Sequence, residues 1–207
     1  MKRAQLRQFE EQVVTFIDER HRALGVEESG LLPYYVQRAE KKRAFTRYER
    51  GLLAHLETGT TIYHAGIGIG VLSAALALKG CRVIGFEEMP ERAEAARALR
   101  DAVAQGTDYE LREANFPGGL RADEPAGAAT LLFTNVAGNW SDETYAGAFA
   151  AMKRFSRTIL DLRLFGHTRN EPEERDELAR RLEAMGHELR PLDLNCNNNF
   201  YVELTAR

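Results

Sequence analysis

The segment Thr60–Glu88, TTIYHAGIGIGVLSAALALKGCRVIGFEE, narrows the fold more than any other part of the chain. Thr60–His64 is a short β-prone run, and Gly66, Gly68 and Gly70 alternate directly after it. Val71–Lys79 is built of helix formers, and Gly80 stands where a C-terminal cap belongs. Arg82–Phe86 is a second β-prone run, ending on Glu87 and Glu88. In order these are strand, glycine turn, helix, strand and acid. That is a βαβ unit with a nucleotide-type turn at its first crossover.

Glycine belongs at such a turn for two reasons. A ligand crossing the strand end needs backbone without Cβ atoms, and some turn positions take positive φ. The acid that closes the second strand lies beside the first turn, where a carboxylate can accept both hydroxyls of a ribose. The unit therefore points to an adenosine-containing ligand. A tight strand-to-helix crossover flanked by solvated charges is the plainer reading of the same residues. Spacing separates the adenosine ligands. The dinucleotide fingerprint is GxGxxG, with the pyrophosphate on the helix N-terminus. Here the glycines follow GxGxG, and Val71 stands where the third dinucleotide glycine belongs.

On HAGIGIG followed by VIGFEE, the chain resembles the class I S-adenosylmethionine-dependent methyltransferases. Their first motif is an acid, one residue and GxGxG, with an acid ending the next strand. His64 departs from it, standing where that family has Asp or Glu. The resemblance covers about Thr60 to the C-terminus. It implies an α/β fold: a Rossmann-like, seven-stranded, mostly parallel sheet with helices on both faces and the last strand inserted antiparallel. It also implies S-adenosyl-L-methionine (SAM) as cofactor and S-adenosyl-L-homocysteine (SAH) as product.

The same resemblance assigns cofactor contacts to His64, Gly66, Gly68 and Gly70 in the turn. Glu87 becomes the ribose acceptor, with Glu88 in its place if the strand ends one residue later. Met89 packs on the adenine face, Asn115 meets the exocyclic amine, and Phe116 supplies an aromatic wall. Asn135 opens TNVAGNW after the fourth strand, beside the transferable methyl. The prolines and aromatic of the Asn-Pro-Pro-Tyr motif found in some amine-methylating members are missing, so amine chemistry does not carry over. Trp140 is either an acceptor wall or core packing.

The rest of the chain fits this core. Residues 1–58 read as an N-terminal helical extension or lid, and 59–207 as the SAM-binding core. Arg3–Leu24 carries an apolar stripe of Leu6, Phe9, Val13, Phe16, Ile17 and Leu24. Gly25–Pro33 is a break, and one helix is expected over Tyr35–Leu56 with Phe45, Tyr48, Leu52 and Leu56 inward. Further helices are expected over Pro90–Ala104, from Ser141 as N-cap to Arg154, and over Glu171–Met185. Strands are expected at Tyr109–Ala114, Ala128–Asn135, Thr158–Leu164, Glu188–Leu194 and Phe200–Thr205. Helices alternating with strands imply a parallel sheet, closed here by a hairpin.

Composition bounds the function classes. The 207 residues suffice for a full core, and 44% hydrophobic content is ordinary. No apolar run is long enough to cross a bilayer, and MKRAQLRQFEEQ has no signal-like region, so a cytoplasmic protein without a membrane partner is expected. Cys81 and Cys196 are isolated thiols, and no cluster has metal-ligand spacing. The net charge of −3 argues against nucleic acid as partner. One basic run, Arg38, Lys41, Lys42, Arg43, Arg47 and Arg50, reads first as a solvated helix face and second as an RNA-binding face.

Acceptor-side candidates are Tyr34 and Tyr35, at the join of the N-terminal helices, and His167, a general base by type after the fifth strand. Asp161 and Arg163 are polar residues in an apolar strand. The expected function is in-line methyl transfer from SAM to a small-molecule acceptor. The alternatives are an RNA or protein methyltransferase using the basic helix, or a non-catalytic SAM-binding partner subunit. The N-terminal helices would wall the acceptor, cover a sheet face, or form a homo-oligomer interface.

Overall fold

The computed structural model describes residues 1–125, 127–134, 141–162, 172–194 and 201–206. The N-terminal helices are α1 (Arg3–Glu28), α2 (Pro33–Glu40) and α3 (Arg47–His55). They lead into β1 (Thr61–Ala65), α4 (Val71–Leu78), β2 (Arg82–Glu87), α5 (Pro90–Val103), β3 (Tyr109–Glu113) and β4 (Ala129–Phe133). The chain ends with α6 (Asp142–Met152), β5 (Arg157–Asp161), α7 (Pro172–Ala184), β6 (His187–Pro191) and β7 (Tyr201–Ala206). Among the described residues no helix is long and apolar enough to cross a membrane.

One seven-stranded sheet runs in the order β3-β2-β1-β4-β5-β7-β6. Its first five strands are parallel, and β7 lies antiparallel between β5 and β6. This is the Rossmann-like, mostly parallel sheet expected from the sequence. The order reverses between β1 and β4, so a crevice opens above their carboxyl ends.

Strand alternation decides which side chains reach that crevice. Ile62 and Val83 join the cluster of α1–α5, whereas Tyr63, Ala65, Ile84 and Phe86 join the cluster of α6 and α7 on the opposite face. With a period of two, His64 and Glu87 fall on the α4 side. Phe9, Val13 and Ile17 of α1 and Leu52 and Leu53 of α3 belong to the same cluster as Leu72 and Leu76 of α4. The N-terminal helices therefore share one core with that sheet face.

The stretch expected as one helix over Tyr35–Leu56 is two. Lys41 ends α2, and Lys42 takes a left-handed φ of 53°. Thr46 then starts α3 with a capping box: its hydroxyl accepts from Glu49 N at 3.1 Å, and Glu49 Oε2 accepts from Thr46 N at 2.6 Å. Two orphan backbone donors are satisfied only if the helix restarts there. In α1 the helical path breaks at Gly25, φ 73°, where the sequence expects a break, and a further helical stretch runs on to Glu28. Leu24, just before the kink, is 41% exposed and so is not part of the buried stripe. Strand β5 stops at Asp161, which is buried, and Arg163 lies outside the described residues. Cys81 is buried, and Cys196 too lies outside them.

Helix α3 is seated through Gly51, where a Cβ would lie 2.6 Å from Leu194 Cβ and 2.7 Å from its carbonyl oxygen. Helix propensity alone favours Ala over Gly by about 1 kcal/mol, but overpacking costs about 1–3 kcal/mol. Packing wins, so Gly51→Ala should destabilise the protein, by up to about 2 kcal/mol in urea unfolding. A stabilised variant would show that α3 is not held against Leu194.

Candidate functional site

The carboxyl ends of β1 to β4 border a cavity of about 490 Å³. Its walls include Gly66 and Gly68, Glu87 to Met89, Asn115 and Phe116, and Leu32, Tyr34, Tyr35 and Glu49 from the N-terminal helices. One pocket thus gathers residues more than 80 positions apart on the sequence, from Leu32 to Phe116 and Thr134. The volume lies in the range of small-ligand sites.

The turn after β1 is built as its glycines require. Gly66, Gly68 and Gly70 take φ of 66°, 58° and 76°, a region that penalises any Cβ. A Cβ on Gly68 would also collide with the Tyr35 hydroxyl, and one on Gly70 would lie 2.6 Å from the Tyr109 hydroxyl. Gly70 is the N-cap of α4, and the turn closes through Gly70 N donating to Ile67 O at 3.0 Å.

Glu87 is the last residue of β2 and 5% exposed, while Glu88 is exposed beyond the strand. Gly68 N donates to its Oε2 at 2.9 Å and Met89 N to its Oε1 at 3.1 Å. The carboxyl joins the glycine turn to the start of α5. Burial raises its pKa, and the two amides and the nearby Arg92 act against that rise. Each oxygen keeps a lone pair for a further donor.

His64 is 2% exposed and neutral, because burial pushes its pKa down to about 3. Its Nδ1 shares a hydrogen bond with Ser73 Oγ at 2.8 Å, and its Nε2 one with Thr134 Oγ1 at 2.7 Å. The ring therefore bridges α4 to the end of β4, and both nitrogens are occupied. Sequence reasoning missed Thr134, whose only signal was its place directly after the apolar run of β4.

Met89 is 43% exposed at the N-cap of α5, and Asn115 is exposed at the end of β3. Phe116 is buried edge-on to Phe86 and Phe133, with centroids 5.5 Å away from each, and so forms the cavity floor as part of the core. Tyr34 and Tyr35 sit in the first turn of α2, their ring centroids 4.2 Å apart. Tyr35 is buried and its pKa lies well above the ordinary value, first through desolvation, so its hydroxyl keeps its proton. The Arg38 guanidinium lies 4.9 Å from both ring centroids and donates to Glu49 Oε2 at 2.7 Å. Glu49, also missed, is 7% exposed and lines the cavity. The Thr46–Glu49 capping pattern was its one legible signal. His167, Asn135 and Trp140 lie outside the described residues.

A neutral His64 has a pH consequence. The unfolded chain protonates His64 near pH 6.5, but the folded protein does not until about pH 3. Stability is therefore lost as pH falls from about 6.5 toward 3, at roughly 1.4 kcal/mol per unit. In urea unfolding at pH 7 and pH 5, the native protein should lose about 2 kcal/mol more than His64→Gln. Equal losses would show that His64 is not held neutral.

No family model and no curated protein sequence matches this chain. Solved structures do. The magnesium protoporphyrin IX methyltransferase of Synechocystis PCC 6803, with bound SAM, matches over 94% of this chain and 97% of its own, at 15% identity and a TM-score of 0.60. A TehB-like SAM-dependent methyltransferase from Corynebacterium glutamicum matches over 94% and 98%, at 18% identity and a TM-score of 0.58. Fibrillarin from Aeropyrum pernix, with natively bound SAM, matches over 78% and 76%, at 15% identity and a TM-score of 0.52. At these identities the likeness establishes the fold, which is that of the class I S-adenosylmethionine-dependent methyltransferases.

Proposed function

We propose that the protein is a SAM-dependent methyltransferase acting on a small-molecule acceptor. One observation carries this reading. A single cavity has an acid-and-glycine end of the kind a nucleoside needs and, on its other side, Tyr34 and Tyr35 of α2 with Glu49 of α3. The residues fit the cofactor. Glu87 is already oriented by two backbone amides and keeps acceptor capacity for ribose hydroxyls. Gly66 and Gly68 line the cavity, and Met89, Asn115 and the Phe116 floor flank the place of a base.

When bound, SAM supplies an activated methyl on a sulfonium, so the protein's task is chiefly positioning. Tyr34 and Tyr35 would wall the acceptor on the α2 side and exclude water. Tyr35, holding its proton, is suited to donate a hydrogen bond rather than to remove a proton. A general base is needed only for an acceptor that arrives protonated, and His167 is proposed for it on sequence position. Residues 1–58 would then be an enclosing part of the site and 59–207 the cofactor-binding core. Lys41, Lys42, Arg43 and Arg47, exposed around the α2–α3 link, favour RNA as the second reading of the acceptor. That reading requires RNA binding that falls steeply with salt.

Calorimetry tests the cofactor reading: SAH should bind and NAD should not. NAD binding more tightly than SAH would overturn it. Glu87→Ala should weaken SAH by roughly tenfold or more, as expected for about 1.5–3 kcal/mol of charged hydrogen bonding, and Glu88→Ala by much less. An unchanged affinity in Glu87→Ala would remove its ribose role.

A further inference from the structure

The amino-acid end of SAM carries an α-ammonium, which needs an acceptor and is held best by a carboxylate. The strand that most directly faces the glycine turn offers none, because His64 is neutral and both its ring nitrogens are engaged by Ser73 and Thr134. Among the described residues three carboxylates line the cavity: Glu49, Glu87 and Glu88. Glu87 belongs to the nucleoside end, fixed by Gly68 N and Met89 N, and Glu88 is exposed past the end of β2. Glu49 remains, on the side where Tyr35 of α2 covers Gly68.

Glu49 is prepared for such a role. Its Oε2 accepts from Arg38 Nη1 at 2.7 Å and from Thr46 N at 2.6 Å, while its Oε1 makes no hydrogen bond among the described residues. A carboxylate only 7% exposed is tolerable because Arg38 balances its charge, and the capping box fixes its rotamer. The pair is neutral as a unit and leaves one oxygen for a ligand in the cavity.

We propose that Glu49 receives the α-ammonium of the cofactor, supplying from helix α3 the carboxylate that β1 lacks at His64. This rests on the SAM reading above. It makes the N-terminal helices part of the cofactor subsite itself, and the ligand's amino acid end then touches the same helix pair that walls the acceptor. The competing role for Glu49, a contact to the acceptor alone, leaves SAH affinity untouched.

Three ligands separate these roles by calorimetry on the full chain: SAH, the SAH analogue lacking only the α-amino group, and 5′-methylthioadenosine, which lacks the amino-acid end. Glu49→Gln keeps an acceptor oxygen for Thr46 N but removes the charge. It should weaken SAH about tenfold or more and change the other two by less than about threefold. The native protein should prefer SAH to its deaminated analogue by a similar factor, and the variant should not. Glu49→Asp, which withdraws the carboxylate by one methylene, should show the same selective loss. Unchanged SAH affinity in Glu49→Gln overturns the proposal, as does an equal loss for SAH and 5′-methylthioadenosine, which marks a structural role. A native protein that binds neither ligand overturns the SAM reading and this assignment with it.

Discussion

The Glu87 carboxylate is the joint on which the site depends. It ends β2, takes the amide of Gly68 on one oxygen and that of Met89 on the other, and so fixes the glycine turn against the first turn of α5. Both amides belong to irregular backbone that no ladder satisfies. A buried unsatisfied donor costs about 1–3 kcal/mol, so the acid does structural service before any ligand arrives. The same geometry leaves it able to accept further hydrogen bonds. Two amide bonds orient both oxygens and lower the cost of their burial, and each oxygen keeps a lone pair.

His64 answers a different constraint on the neighbouring strand. The residue there sits beneath α4, sealed from water, between two hydroxyls. A carboxylate in that place must pay for desolvation without a cation nearby, whereas a neutral imidazole bridges both hydroxyls at no charge cost. The imidazole ties α4 to the end of β4 without placing a negative charge in the strand layer. The other buried carboxylate of the cavity wall, Glu49, stands where a cation is available, with Arg38 spread over the faces of Tyr34 and Tyr35.

The βαβ unit was legible because three local signals agreed: β-prone runs for the strands, glycines at every second position of the turn, and helix formers between. Glu87 rather than Glu88 followed from where the apolar run stops, and burial at 5% puts it inside the strand. The split between α2 and α3 was hidden because Phe45, Tyr48, Leu52 and Leu56 keep a helical period across it. The Thr46–Glu49 capping pattern marks the restart, but periodicity masked it. Glu49 and Thr134 were not legible as cavity residues. Burial of an acid depends on a partner brought by the fold, and Arg38 meets Glu49 only because the chain reverses at Lys42. The role of His64 as a bridge was equally nonlocal, since one of its partners lies 70 residues away.

The N-terminal helices bear on how anything enters. Phe9, Val13, Ile17, Leu52 and Leu56 are each 2% exposed or less. At about 1.5–3 kcal/mol for each buried side chain, swinging the whole extension off the sheet face costs more than a marginal stability allows. Polar ties add to that seat. Lys79 Nζ donates to Leu53 O at 2.7 Å and also to Leu56 O, capping the end of α3 from α4, and Arg20 of α1 reaches Glu94 of α5 at 2.6 Å. Among the described residues the exposed members of the cavity wall are Tyr34 at 37% and Met89 at 43%, together with Glu88 and Asn115. Within the described wall, these are side chains that can turn aside without unseating a helix. The deeper wall of Tyr35, Glu49 and His64 stays packed while they do.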